Sequence, residues 1–230
     1  MNNNNTPVVL VTGANRGIGL ALCKQYKDMG YQVIATCRSR SEALEALEND
    51  GSGIEVIEGV DVSKVTGIQA LQEQLNERHI DILINNAGIL RSQTLNSLDF
   101  EEIIEQFQVN TLGPLRIVDA LRNNLCSGGK IAMITSRMGS IEDNTSGGQY
   151  GYRMSKSALN AASKSLALDL QPRGIALAIL HPGYVQTEMV NFGGEIAADV
   201  AAERLVQRIA ELNLENSGTF WHSNGDVLPW

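Results

Sequence analysis

Short β-branched runs alternate with longer helical patterns along the whole chain, and this alternation is what most limits the fold. Val8 to Val11, Gln32 to Thr36, Ile54 to Ile57, Ile82 to Ile84, Ile131 to Ile134, Ile175 to Leu180 and Thr219 to Trp221 read as strands. Between them, Ile18 to Met29, Ser41 to Glu48, Lys64 to Glu77, Phe100 to Leu125, Gly151 to Leu170 and Asp199 to Leu212 read as helices. Ser41 suits a helix cap, and Gly113-Pro114 suits an interruption of the fourth helix. Strand then helix, repeated, implies a doubly wound α/β fold: a parallel sheet of about seven strands with helices on both faces. The strands are near-continuous apolar runs, as a sheet covered on both faces requires. No linker, composition break or solenoid-length repeat divides the chain, so one domain over 1–230 is expected. Met1 and the four asparagines after it read as a frayed tail, reaching about residue 6.

Composition narrows the partners. Hydrophobic residues make up 43% of the 230, enough for a sizeable core. The formal net charge is -8, and no Lys/Arg cluster offers the basic patch that a nucleic-acid surface needs. Cys23, Cys37 and Cys126 are odd in number and widely spaced, which fits reduced thiols in a cytoplasmic protein. The start lacks the basic and apolar regions of a signal peptide, and no apolar run approaches the roughly 20 residues of a membrane helix. His79, His181 and His222 have no metal-ligand spacing, so no metal is expected.

Chemistry enters just after the first strand, in Thr12-Gly13-Ala14-Asn15-Arg16-Gly17-Ile18-Gly19. Gly13 suits the tight turn, Gly17 the close approach of backbone to a pyrophosphate, and Gly19 the packing of the helix. The helix N-terminus then offers free N–H groups to the anion. In the first strand–helix unit this reads as the phosphate-binding turn of a Rossmann dinucleotide domain rather than a purely structural turn, in the spacing G-x-x-x-G-x-G. A second constellation lies far along the chain. Tyr152 and Lys156 are four residues apart, which on a helix puts both on one face. An ammonium beside a phenol favours the phenolate and is expected to lower its pKa from roughly 10 toward usable acid–base chemistry.

Taken with Asn85-Asn86-Ala87-Gly88 after the fourth strand, Val109-Asn110, Ser136 after the fifth strand and Pro182-Gly183 after the sixth, these motifs resemble the short-chain dehydrogenase/reductase family. The likeness covers nearly the whole chain. Ser136-Arg137-Met138-Gly139-Ser140, Asn144 to Gly148, Tyr152-Arg153 and the ending Gly218-Thr219-Phe220-Trp221 to Leu228-Pro229-Trp230 resemble its C-factor and sniffer-like carbonyl reductase branch.

The resemblance implies a cofactor site at Gly13, Asn15, Arg16, Gly17, Ile18, Gly19, Arg38, Asp61, Val62, Asn86, Ala87, Gly88, Tyr152, Lys156, Pro182, Gly183, Val185 and Thr187. Asp61 would meet the adenine by its side chain and Val62 by its backbone, though Asp61 or Ser63 could instead cap the next helix. Thr187 and the Val185 backbone would hold the carboxamide. An NAD site usually offers a carboxylate at the end of the second strand. This chain has Cys37 and Arg38 there, with Arg40 nearby, and Arg16 in the turn. Two guanidiniums could clamp a 2′-phosphate, so NADP(H) is expected over NAD(H).

The implied catalytic set is Asn110, Ser136, Tyr152 and Lys156. In reduction Tyr152 would protonate the carbonyl oxygen, Ser136 would hydrogen-bond it, Lys156 would bind the nicotinamide ribose, and Asn110 would hold a water linking Lys156 to solvent. The family's serine usually stands about a dozen residues before its tyrosine; Ser136 stands sixteen before and Ser140 twelve. Ser136 is preferred because it directly follows a strand, with Asn144 to Gly148 as the extra loop. Tyr150 is a local rival for the phenol, but its fourth neighbour is Met154. His181 could touch the cofactor or be structural.

Ile89, Met138, Ile141, Tyr184, Met189 and Phe192 would line an apolar pocket for a small carbonyl or alcohol. Apolar residues cover more than one face of the helix after Gly151, which fits a homodimer through it and the helix around Ile117 to Leu125, or a homotetramer. A nucleotide-binding signalling protein without turnover is the rival from another class. A sugar-nucleotide epimerase, with a different glycine spacing and a longer chain, ranks below both.

Overall fold

In the computed structural model, which describes residues 6–51 and 53–230, the alternation becomes a sheet. Its strands are β1 (Val8–Thr12), β2 (Gln32–Thr36), β3 (Ile54–Ile57), β4 (Ile80–Asn85), β5 (Leu125–Ile134), β6 (Ala176–His181), β7 (Val185–Gln186), β8 (Ile196–Ala197) and β9 (Phe220–His222). Seven of these form one parallel sheet in the order β3-β2-β1-β4-β5-β6-β9. The helices are α1 (Gly17–Asp28), α2 (Glu42–Asn49), α3 (Val65–Leu75), α4 (Phe100–Phe107), α5 (Gly113–Leu121), α6 (Tyr150–Leu170) and α7 (Ala198–Glu211).

Strand side chains alternate between two cores. Val9, Val11, Val33 and Ile84 pack with Leu22 and Tyr26 of α1 and Leu205 and Ile209 of α7. Leu10, Ile34, Leu83 and Met133 pack with Leu71 of α3, Ile117 of α5 and Leu159 of α6. Helices therefore cover both faces, which is why the strands are apolar throughout. The order reverses between β1 and β4, and in such sheets the crevice beyond the strand ends at that reversal is where ligands bind.

Several boundaries differ from the sequence reading. The helix expected from Phe100 to Leu125 is continuous through Gly113-Pro114. A wider π turn at Gln108–Leu112 joins α4 to α5, and Pro114 sits in the first turn of α5. Proline lacks an N–H and crowds the carbonyl four residues back, and a widened turn accommodates both without a break. The helix stops at Leu121 because Asn124 is buried and its amide donates to the Asn76 and Arg78 carbonyls at 2.7 and 2.9 Å. Leu125 then pairs with Ile80, so β5 starts six residues earlier than expected, with a register shift between Ile80 and Ile82. β7 and β8 form a second, two-stranded sheet that the sequence reading lacks. Ser41 caps α2 as expected, accepting from the Leu44 N–H at 3.2 Å. Ser63 does not cap α3, which starts after Lys64. The expected tail falls on residues outside those described, Thr6 apart. Among the described residues no helix is long and apolar enough to cross a membrane.

Candidate functional site

A cavity of about 740 Å³ opens at the carboxyl ends of β1 and β4. The glycine turn forms one wall. Gly13 and Gly17 both have positive φ, at 66° and 54°, where a side chain would be strained. Gly19 has ordinary φ but no space: a Cβ there would stand 2.2 Å from the Gly13 carbonyl oxygen and 2.6 Å from Asn86 Nδ2. The N-terminus of α1 has no side-chain cap, so its first N–H groups are left to the turn and the cavity. A cradle that any Cβ would fill, at an uncapped helix start, fits a bound pyrophosphate. Asn86 fixes the turn by donating to the Thr12 and Gly13 carbonyls at 2.9 and 3.1 Å. Thr12 Oγ1 answers by accepting from the Asn86 and Ala87 N–H groups at 3.0 and 3.1 Å. The sequence reading passed over this hydroxyl; its place immediately before Gly13 was the available signal.

The second wall lies where β2 ends. Cys37 is buried, Arg38 is exposed, and both border the cavity with Asp61 and Val62. Burial pushes the Cys37 thiol up, followed by the charge of Glu58. Burial also raises the Asp61 carboxyl, but hydrogen bonds from Ser63 and the charges of Arg38 and Lys64 outweigh it, so its pKa is lowered. Asp61 Oδ1 accepts from the Ser63 N–H at 2.9 Å and its hydroxyl at 2.7 Å, closing the turn before α3. Arg40 is committed elsewhere, to Glu48, Glu58 and the Val56 carbonyl. Arg16 points across the cavity mouth and pairs with Glu188. Only Arg38 of the three faces this end without such an ion pair among the described residues.

At the far end α6 packs beside β6 and presents Tyr152 and Lys156 together. Its start is held by Gln93, a buried side chain from the loop after β4, which accepts from the Gly151 N–H at 3.0 Å. No periodic pattern marked that loop, and the sequence reading did not single out Gln93. Lys156 Nζ donates to the Ile134 carbonyl at 2.9 Å and lies 5.8 Å from the centre of the Tyr152 ring. Burial lowers the ammonium to about 8. The expected depression of the Tyr152 phenol is not what the structure contains. Burial raises it to about 12, and hydrogen bonding with Ser136 only partly offsets this. Desolvation of the phenolate outweighs an ammonium that stands to one side and is itself bonded to a carbonyl.

Ser136 is buried at the end of β5 and its Oγ accepts from the Met138 N–H at 3.1 Å. Ser140 is also buried, but it accepts from the Asp143 N–H at 3.1 Å and serves its own turn. Asn110 lies in the π turn with its amide committed. Oδ1 accepts from the Ile89 N–H at 2.8 Å, and Nδ2 donates to the Ile89 carbonyl at 2.8 Å and Ser155 at 3.1 Å. This holds Gly88 beside Lys156: a Cβ on Gly88 would stand 3.3 Å from Asn110 Oδ1 and 3.6 Å from Lys156 Nζ.

Of the residues singled out from sequence, Asn15, Ile18, Ala87, Gly88, Pro182 and Thr187 also border the cavity. Asn110, Ser136, Gly183 and Val185 are not among its lining residues; Val185 is buried and pairs with Ile196 in the small sheet. Ile89, Met189 and Phe192 line it, whereas Met138, Ile141 and Tyr184 do not. His181 stacks edge-on against His222 at 4.9 Å, and burial, then His222 and Arg137, lower it to about 3. It too lies outside the cavity lining. Among the described residues no cluster of His, Cys, Asp and Glu could hold a metal ion.

Comparison with known proteins agrees with this geometry. A family profile described as short chain dehydrogenase matches residues 7–195. A curated Rhodococcus protein, 1-hydroxy-2-glutathionyl-2-methyl-3-butene dehydrogenase, is 40% identical over 96% of this chain and 99% of its own. The solved carbonyl reductase Sniffer of D. melanogaster is 32% identical with a TM-score of 0.91, over 98% of this chain and 100% of its own. An NADPH-bound carbonyl reductase from chicken fatty liver is 28% identical with a TM-score of 0.90, at the same coverage.

Proposed function

The chain belongs to the short-chain dehydrogenase family, in the branch of C-factor and sniffer-like proteins, and on that premise we propose that it is an NADPH-dependent carbonyl reductase. One observation carries the reading: a single cavity has a glycine turn and the exposed Arg38 guanidinium at one end and a buried phenol and ammonium at the other. The turn from Gly13 to Gly19 would hold the pyrophosphate, Arg38 the 2′-phosphate, and Asp61 and Val62 the adenine. Pro182, Gly183, Val185 and Thr187 would border the nicotinamide. NADPH, when bound, supplies the hydride.

The residues supply the rest. Burial raises Tyr152 to about 12, so the phenol keeps its proton at neutral pH and stands ready as an acid. It gives that proton to the carbonyl oxygen as charge develops there. Ser136 would turn its hydroxyl to donate to the same oxygen and hold it. Lys156 anchors the ribose and, at a pKa of about 8, can pass a proton back to the phenol after reaction. Asn110 keeps the Gly88–Ile89 backbone against Lys156 and would hold the relay water. The relative from Rhodococcus is named a dehydrogenase; the same residues would serve either direction, with Tyr152 as the acid in reduction and the base in oxidation.

Ile89, Met189 and Phe192 suit a small apolar ketone, aldehyde or dicarbonyl. The exposed Phe100, Ile104 and Met154 on α4 and α6 suit a homodimer or homotetramer. We place the protein in the cytoplasm as a single catalytic domain. The complete set of Asn110, Ser136, Tyr152 and Lys156 favours turnover over binding alone. The test is NADPH oxidation across a panel of such carbonyls. Tyr152→Phe should lower kcat by about 10²–10⁴-fold and leave NADPH affinity unchanged. Equal rates in both proteins on the best substrate would refute the reading.

A further inference from the structure

A polar stripe runs along the buried face of α6, beside the apolar Leu159, Ala167 and Leu170, where a helix packed on a sheet is usually apolar. Tyr152, Lys156, Asn160 and Ser163 recur at spacings of four, four and three, and all are buried. Tyr152 and Lys156 are absorbed by the proposed chemistry; Asn160 is not. Building on the carbonyl reductase reading, we infer that Asn160 is a positioning residue: with Thr135 it clamps the Ser136 turn onto α6 and so sets where the Ser136 hydroxyl meets the Tyr152 phenol.

Thr135 Oγ1 donates to Asn160 Oδ1 at 2.7 Å, and both side chains are buried. Thr135 immediately precedes Ser136. On the other side of the turn, Ser157 Oγ donates to the Gly139 carbonyl at 2.8 Å. Gly139 rests directly on the helix: a Cβ there would stand 2.9 Å from the Lys156 carbonyl carbon and 3.0 Å from Asn160 Nδ2. The Gly139 N–H donates to the Ser136 carbonyl at 2.8 Å, which closes the turn between the two anchors. Ser136 spends its own Oγ on the Met138 N–H inside that turn, so its placement follows the placement of the turn. A buried hydrogen bond is directional, and leaving either partner unpaired is costly, so this pair fixes one register of β5 against α6. Misplacing a reacting group by about 1 Å can cost about 100-fold in rate.

The test uses the full chain with NADPH and the best carbonyl of the panel. Thr135→Val, which keeps the shape and removes the hydroxyl, should lower kcat by about 10- to 100-fold with NADPH affinity unchanged. Asn160→Leu should do the same, and Thr135→Ser should restore wild-type kcat. In a Ser136→Ala background, Thr135→Val should cost nothing more, because the clamp acts through Ser136. A further multiplicative loss in that background, or a wild-type kcat in Thr135→Val, overturns the inference. So does a fall in NADPH affinity equal to the fall in kcat, which would mean general loosening. If wild type turns over no carbonyl, the proposed function has failed, and crystal structures of wild type and Thr135→Val decide the inference separately. A Ser136 hydroxyl displaced from the Tyr152 phenol supports it; an unmoved one overturns it.

Discussion

At the start of α1 and at the start of α6 the same fold prepares two working ends by different means. The α1 end is made of backbone. It has no side-chain cap, its turn passes through two glycines of positive φ, and a third leaves no room for a Cβ. The charges that attend it, Arg16 and Arg38, are exposed. The α6 end is made of buried side chains. Gln93 from a distant loop accepts from the Gly151 N–H, and Tyr152, Ser155, Lys156 and Asn160 face inward. Backbone dipoles and exposed charges bind an anion without large desolvation and should respond to salt. Buried polar groups gain strength from low dielectric but depend on partners placed by other segments.

The widest gap between the ends should appear in turnover. Ser136→Ala is expected to lower kcat by about 10²–10³-fold, as for loss of an oxyanion donor, while Ser140→Ala leaves it nearly unchanged. Steady-state kinetics of the two variants checks this, and a larger loss from Ser140→Ala would reassign the serine.

A smaller effect is expected at the α1 end and in affinity alone. Arg38→Leu should weaken NADPH binding by about 1.5–3 kcal/mol, or roughly 10- to 150-fold, and spare NADH. Calorimetry at low and high salt should find the penalty shrinking as salt screens the phosphate contact. Selectivity retained by Arg38→Leu would move the 2′-phosphate to Arg16, which would then have to leave Glu188.

The smallest effect is in stability. Lys156 is held at about 8 in the folded chain against its ordinary 10.5, so below pH 8 the fold carries a buried charge that the unfolded chain keeps solvated. Lys156→Met should therefore melt above wild type at pH 7 while losing turnover. The gap should close as pH rises from about 8 to 10.5, where the folded lysine is already neutral and the unfolded one is not. Equal melting temperatures at pH 7 would place the cost of that charge elsewhere.

Much of the fold was legible because each strand and helix carries its own period. The misreadings fell where distant residues decide a boundary. Leu121 ends α5 because Asn124 reaches Asn76 and Arg78, and no local signal announces that. The preference for Ser136 over Ser140 could be argued from its place after a strand. The separate hydrogen-bonding of the two hydroxyls needed the folded loop.

The sequence by itself determined the parallel sheet, the glycine turn after its first strand and the pairing of Tyr152 with Lys156. Each rests on residues within a few positions of one another, where steric rules and helical periodicity act. Only the tertiary structure decided the charge states at the far end. From spacing alone, Lys156 should lower the Tyr152 phenol. In the fold, Lys156 is bonded to Ile134 and both groups are buried, so the phenol rises to about 12 and the ammonium falls to about 8. Desolvation is a property of everything packed around a group, and no pair of nearby residues in a sequence contains it.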